Sequence, residues 1–147
     1  MLVQQILKAK GAPGGAGVVT ITPDKSVSDA AQLLAEKRIG AVVVSPDGQA
    51  VAGILSERDI VRELGRRGTG CLSETVGEMM TRDIITCAPD EKADHVLARM
   101  TGGRFRHMPV MEGERMIGVI SIGDVVKARL DELSMEQEAL KGMIMGY

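Results

Sequence analysis

The sequence predicts an α/β (α+β) chain built from two β-α-β-β-α repeats that pack together with pseudo-two-fold symmetry. Two observations carry this reading. The chain repeats itself: Thr20, Pro23 and Asp24 recur at constant spacing as Thr86, Pro89 and Asp90, and Gly53, Ser56 and Asp59 recur as Gly118, Ser121 and Asp124 after one residue is lost in a turn. Self-similarity of this kind is the mark of a duplicated supersecondary unit, and turns are where repeats tolerate deletions. The second observation is compositional. Of 147 residues 44% are hydrophobic, yet the chain has one Phe, one Tyr and no Trp. The core is therefore aliphatic, and a half of roughly 60 residues buries too little surface to stand alone.

The elements follow in order. Val3-Gln4-Gln5-Ile6-Leu7 reads as a short helix, and it resembles the lead-in Val76-Gly77-Glu78-Met79-Met80 of the second half. The Gly-rich stretch 8–17 reads as a flexible loop. Each unit then opens with a short strand, 18–21 or 84–87, closed by a Pro-Asp turn. An amphipathic helix comes next, with Val27, Ala30, Ala31, Leu34 and Ala35 at helical spacing in one unit and Ala93, Val96, Leu97 and Met100 in the other. Ser26 and Asp29 form a capping box at the start of the first. Two strands follow, 41–45 and 50–55 around Pro46-Asp47-Gly48, then 107–111 and 115–120 around Glu112-Gly113-Glu114. A helix closes each unit, 57–67 and 122–133. The organisation expected is a first repeat over 1–70, a second over 71–130 and a helical tail over 131–147, whose Leu and Met residues are suited to cover a neighbour.

Several function classes are disfavoured. The net charge is −2 and the basic residues are scattered, so there is no footprint for nucleic acid. No apolar run approaches the ~18 residues of a membrane span, and the start lacks the pattern of a signal peptide. A cytoplasmic protein with two free thiols, Cys71 and Cys87, is expected. No metal is expected, because the cysteines and histidines lack ligand spacing.

The doubled strand–Gly-x-x-Ser-x-x-Asp–helix pattern resembles the CBS domain, named after cystathionine β-synthase. Arg106-His107-Met108-Pro109-Val110 is similar to that family's basic-hydrophobic-Pro-Val strand, and the likeness covers residues 1 to about 130. It implies a free-standing bacterial tandem pair, a disc-shaped homodimer, and clefts that bind adenosine-type ligands such as AMP, ATP, NADH or S-adenosylmethionine. The implied role is regulatory and not enzymatic, with no required cofactor, an adenine nucleotide as regulatory ligand, and an unknown regulated protein as a further partner.

The residue chemistry agrees. Ser56 and Ser121 sit where a strand becomes a helix, and a helix N-terminus offers N–H groups and a positive dipole end to phosphate. Asp59 and Asp124, in the first helical turn, are placed to accept from the two hydroxyls of a ribose diol. Gly53 and Gly118 allow another backbone or a ligand to come close. Arg58, Arg106 and His107 supply cations for phosphate. Thr20 and Thr86 are positioned to read an adenine edge, and Ile39, Val42, Phe105 and Met108 to sandwich a base. The resemblance implies clefts shared between halves: Ser121 and Asp124 with Thr20, Ile39 and Ala41, and Ser56 and Asp59 with Thr86, Arg106 and His107. The second set is richer in cations and is expected to take the phosphate, whereas Asp124 is expected to face an uncharged Gly40-Ala41-Val42 strand.

Two other readings use the same residues. Ser-x-x-Asp is also a helix capping box worth about 1 kcal/mol, which explains the motif in a purely structural dimerisation module. A small metal-dependent or thiol enzyme is the third. It lacks a nucleophile–base pair in sequence and any phosphate-loop motif.

Overall fold

The computed structural model describes residues 1–10 and 18–145. Helix α1 (Val3–Ala9) leads in; most of the loop expected over 8–17 lies outside the described residues. Strand β1 (Thr20–Ile21), helix α2 (Val27–Lys37), strands β2 (Ala41–Val44) and β3 (Gly53–Ser56) and helix α3 (Glu57–Arg67) make the first unit. A 3-10 turn (Thr69–Ser73) and helix α4 (Val76–Met79) lead to helix α5 (Ala93–Gly103), strands β4 (His107–Glu112) and β5 (Arg115–Ser121) and helix α6 (Ile122–Met145). β1 pairs parallel with β2, and β2 antiparallel with β3, with Ala41 opposite Ser56. β4 and β5 are antiparallel, with His107 opposite Ser121.

The strand expected over 84–87 is reduced to one parallel bridge, Cys87 with Val110. The Cys87 amide donates to the Pro109 carbonyl (3.0 Å), and the Met111 amide donates to the Cys87 carbonyl (2.8 Å). Extending that ladder backwards requires an N–H at position 109. Proline has none, so pairing stops. The carbonyl of Thr86, which points away from β4, accepts from the Arg99 guanidinium at 2.7 Å. The third strand of the first unit also starts late, at Gly53 instead of residue 50, because the Asp47 carboxylate takes the amides of Gln49 (2.9 Å) and Ala50 (2.8 Å). Helix α3 spans 57–67 as the spacing predicts. α6 does not end near residue 133: it continues without a break to Met145, joining the closing helix to the tail.

There are two cores, and each borrows the other's lead-in. Val76 and Met80 complete the cluster of Val27, Leu34, Val44 and Leu55 in the first unit. Val3, Ile6 and Leu7 complete that of Val96, Met108, Ile120 and Val125 in the second. Matching backbone bonds fix both lead-ins: the Val76 amide donates to the Lys25 carbonyl (2.7 Å), and the Val3 amide to the Glu91 carbonyl (2.9 Å). The crossing of α1 onto the second unit carries residue 10 across the molecule, and the site depends on it.

Candidate functional site

Between the halves lie two clefts, each of about 480 Å3, within the ~300–1,000 Å3 range of small-molecule pockets. Ser121 and Asp124 open into the first, with Ile39 and Ala41 across from them. Ser56, Arg58 and Asp59 open into the second, facing Phe105, Arg106 and His107. His107 and Gly40 line both, so the imidazole stands as a partition, its Cε1 3.5 Å from where a Cβ on Gly40 would lie.

Four expected residues line neither cleft. Met108 is fully buried in the second core, and Pro109, on the other face of β4, is buried as well. β4 turns His107 to the clefts, and the next side chain therefore points to the core. Thr20 and Thr86 sit too far along their segments: the residues that reach the clefts are Val18 and Val19 in one half, Ile84 and Ile85 in the other. The motif glycines accommodate the borrowed lead-ins. A Cβ on Gly53 would fall 2.7 Å from both Met80 Sδ and the Thr81 carbonyl, and one on Gly118 would fall 2.7 Å from Leu7 Cδ2.

Both serine–aspartate pairs are formed as helix caps. Asp59 Oδ2 accepts from the Ser56 amide and hydroxyl (3.0 Å each), and its Oδ1 accepts from Arg62 at 3.0 Å. Asp124 Oδ2 accepts from the Ser121 amide at 2.8 Å, while the Asp124 amide donates to Ser121 Oγ at 3.1 Å.

Asp124 shares its cleft with the Gly40-Ala41-Val42 strand as expected, but two cations join them there. Lys10, brought over by α1, donates to Asp124 Oδ2 at 2.8 Å and to the Val119 carbonyl at 2.9 Å. Arg38 lines the same cleft. The second cleft gathers Arg58, Arg62, Arg104 and Arg106, but also Glu57, Asp59 and Asp83. The lining cations outnumber the carboxylates by one in each cleft, so net charge alone does not separate them. Part of this was readable from the repeat. Arg38 and Arg104 are equivalent residues, both left-handed C-caps (φ 54° and 58°). With Val3 matched to Val76, Lys10 matches Asp83, so the same position supplies a cation to one cleft and an anion to the other.

Burial pushes the Asp124 carboxyl upward, but the Lys10 ammonium and the Ser121 amide outweigh it and hold the group below the ordinary carboxylate value. A depressed carboxyl stabilises the fold above its unfolded pKa, and that contribution is lost as pH falls through the folded value. Lys10→Met leaves burial opposed only by Ser121. The Asp124 carboxyl carbon, followed by NMR titration, should then titrate at higher pH than in the parent, and the variant should lose less stability on acidification. Burial also lowers the His107 pKa, with Asp124 and Glu57 opposing and Lys10 and Arg106 assisting. That shift disfavours the charged ring as long as no anion lies against it. Cys87 is buried, and desolvation with Glu91 nearby pushes its thiol up to about 12, so it is not a ready nucleophile.

The arrangement is a pair of capped helix N-termini opening into clefts with aliphatic walls and mixed charge, and comparison with known proteins defines its class. The CBS domain family model matches residues 16–66 and again 76–131. The chain belongs to the CBS domain family, as a tandem pair. It is 36% identical over 148 residues to the mitochondrial CBS domain-containing protein CBSX3 of Arabidopsis thaliana, covering 98% of this chain and 72% of that protein. The crystal structure of the CBS-domain protein ATU1752 from Agrobacterium tumefaciens superposes with a TM-score of 0.81 at 43% identity, over 88% of this chain and 99% of that one. The CBS domain pair of protein MJ0100, solved with 5-methylthioadenosine and S-adenosyl-L-methionine, shares the fold with a TM-score of 0.75 at 24% identity, over 90% of this chain and 98% of that one. No helix among the described residues is long and apolar enough to cross a membrane.

Proposed function

We propose that this CBS pair is a regulatory sensor, not an enzyme, that binds an adenosine-type nucleotide of the AMP, ATP, NADH or S-adenosylmethionine class between its repeats. The observation that carries the reading is that each Ser-x-x-Asp helix start opens into a cleft walled by the opposite repeat. A ligand there touches both halves, so it favours whichever relative arrangement it fits best. Phosphate goes to the N-terminus of α3 and the arginines of the second cleft, because guanidinium binds phosphate bidentately, whereas Lys10 in the first cleft is already engaged by Asp124. The ribose diol goes to Asp59, and Ile54, Ile84 and Phe105 flank the base. The proposed working form is a homodimer in a reducing compartment such as the cytoplasm, where Cys71 and Cys87, both buried and free, stay reduced. A regulated protein reads the ligand-dependent surface.

A thermal-shift series with AMP, ADP, ATP, NADH and S-adenosylmethionine tests this. At a hundredfold excess over Kd the expected stabilisation is about 2.7 kcal/mol. No shift with any of them at millimolar concentration overturns the sensor. It would favour the second reading, a structural pairing module, which draws on the finding that both motif carboxylates already cap their helices.

A further inference from the structure

The family match ends at residue 131, but α6 runs on to Met145. Its first part is anchored: Val125 and Ala128 are buried in the second core, and Ile122 packs against it. From Leu133 to Lys141 every residue is exposed. A helical segment this short is marginal in water on its own, and this one carries apolar residues in a defined pattern. Val126, Leu130, Leu133, Leu140 and Ile144 follow one another at alternating steps of four and three once Gln137 is included, and all five are exposed, Leu130 at 61% and Ile144 at 76%. This is the a/d stripe of a heptad repeat: Leu130, Gln137 and Ile144 at a, and Val126, Leu133 and Leu140 at d. The stripe lies beside the face that meets the protein's own core, so the body of the molecule does not cover it.

We propose that the distal part of α6 forms a parallel, in-register, two-stranded coiled coil with α6 of a second copy of this chain. The inference rests on the homodimer proposed above and adds the segment and geometry that hold it; it is independent of nucleotide binding. Gln137 selects the direction. In a parallel in-register pair it faces the same residue of the second copy, and two amides both donate and accept. In an antiparallel pair an a residue faces a d residue, here Val126, Leu133 or Leu140, which would bury an amide against an aliphatic side chain. A single polar a position sets register at some cost in stability. Charge agrees with the parallel form: Glu136 at g falls opposite Lys141 at e of the next heptad in the second copy, on both sides of the seam. Of the other exposed apolar residues on this stretch, Met135 falls outside the stripe and Met143 flanks it at g.

Single-cysteine crosslinking on the full chain tests direction and register. Leu130→Cys and Leu140→Cys are made separately and oxidised mildly. Cys71 and Cys87 are buried, so the parent chain is the uncrosslinked control. Both positions are exposed, so neither substitution threatens the fold. A parallel pair joins both variants as covalent dimers. An antiparallel pair has only one crossing point and joins at most one of them, which overturns the proposal. Crosslinking of neither, in a chain that sediments as a dimer, overturns the tail assignment and leaves the homodimer standing. A monomer in sedimentation equilibrium overturns both, and a trimer overturns the two-stranded form. As an independent check, Glu136→Lys and Lys141→Glu should each raise the dimer Kd roughly two- to fivefold, and the double variant should restore it. No recovery overturns the register.

Discussion

Asp59→Asn should weaken nucleotide binding in the second cleft by roughly ten- to a hundredfold while changing stability by about 1 kcal/mol or less. The two effects separate because the carboxylate has two jobs. As a cap, Asp59 accepts from the amide and hydroxyl of Ser56, and the carbonyl oxygen of an asparagine side chain can still accept both. The bond from Arg62 to Oδ1 is lost. Arg62 is more than half exposed, however, and returns to water at a cost of a few tenths of a kcal/mol, as for other helix-surface ion pairs. As a ligand group, the carboxylate offers acceptors to both hydroxyls of a ribose. The amide keeps one acceptor and sets a donor against a donor. Hydrogen bonds to a charged partner are worth about 1.5–3 kcal/mol, which is the affinity loss given above. Asp59→Ala would also remove the capping contact and confuse the two readouts. Calorimetric titration of Asp59→Asn and Asp124→Asn, with urea denaturation on the same samples, decides the matter. Unchanged affinity in both variants, for a ligand that binds the parent chain, would mean that these aspartates are helix caps only.

Duplication made most of this fold readable, and the exceptions have physical causes. β2 to β5 and α3 stand close to where hydrophobic runs and turn residues place them, because each is decided by local pattern. The missing strand at 84–87 has its cause on the partner strand: Pro109 removes one ladder donor, and the first unit has Val43 in its place. The exchange of lead-ins was not readable. Val3-Ile6-Leu7 and Val76-Met80 are equally apolar, and no local rule says which core an apolar helix joins. That exchange hid Lys10, which belongs by sequence to the first repeat and acts in the cleft of Asp124. The clefts themselves divide in the same way. Ser56, Asp59, Ser121 and Asp124 came from the motif, and Arg38 and Arg104 were available from the repeat alignment. Lys10 and Asp83 required knowledge of the packing.

The same packing makes the two motif glycines unequal, although the sequence writes them as copies. Gly53→Ala should destabilise the chain by about 2–3 kcal/mol, and Gly118→Ala by about 1 kcal/mol or less. Neither glycine has a positive φ, so an alanine backbone is unstrained at both sites. Restricting the unfolded chain even returns roughly 0.4–1 kcal/mol in each case. The difference lies in what the new methyl meets. At Gly118 the contacts are the two methyls of Leu7, Cδ2 at 2.7 Å and Cδ1 at 3.1 Å, at the end of a side chain that can shift without breaking a backbone bond. At Gly53 the contacts at 2.7 Å are Met80 Sδ and the Thr81 carbonyl oxygen. The thioether can swing away, but the carbonyl cannot. It accepts from the Ile54 amide at 3.0 Å, and the Thr81 amide donates back to Ile54 at 2.8 Å. Moving it breaks the pair of backbone bonds that joins α4's exit to β3, one residue from the methyl itself. Overpacking against a contact that cannot yield costs about 1–3 kcal/mol, and a stretched backbone pair adds to it. Urea midpoints of the two variants give the comparison directly. Equal losses would show that both lead-ins are held with the same rigidity and that the bridge from Ile54 to Thr81 confers no special stiffness. A larger loss at Gly53 would place the less yielding of the two borrowed segments beside the second cleft, where Thr81 and Asp83 line the wall. A ligand there would then meet a preformed surface, with less ordering left to do on binding.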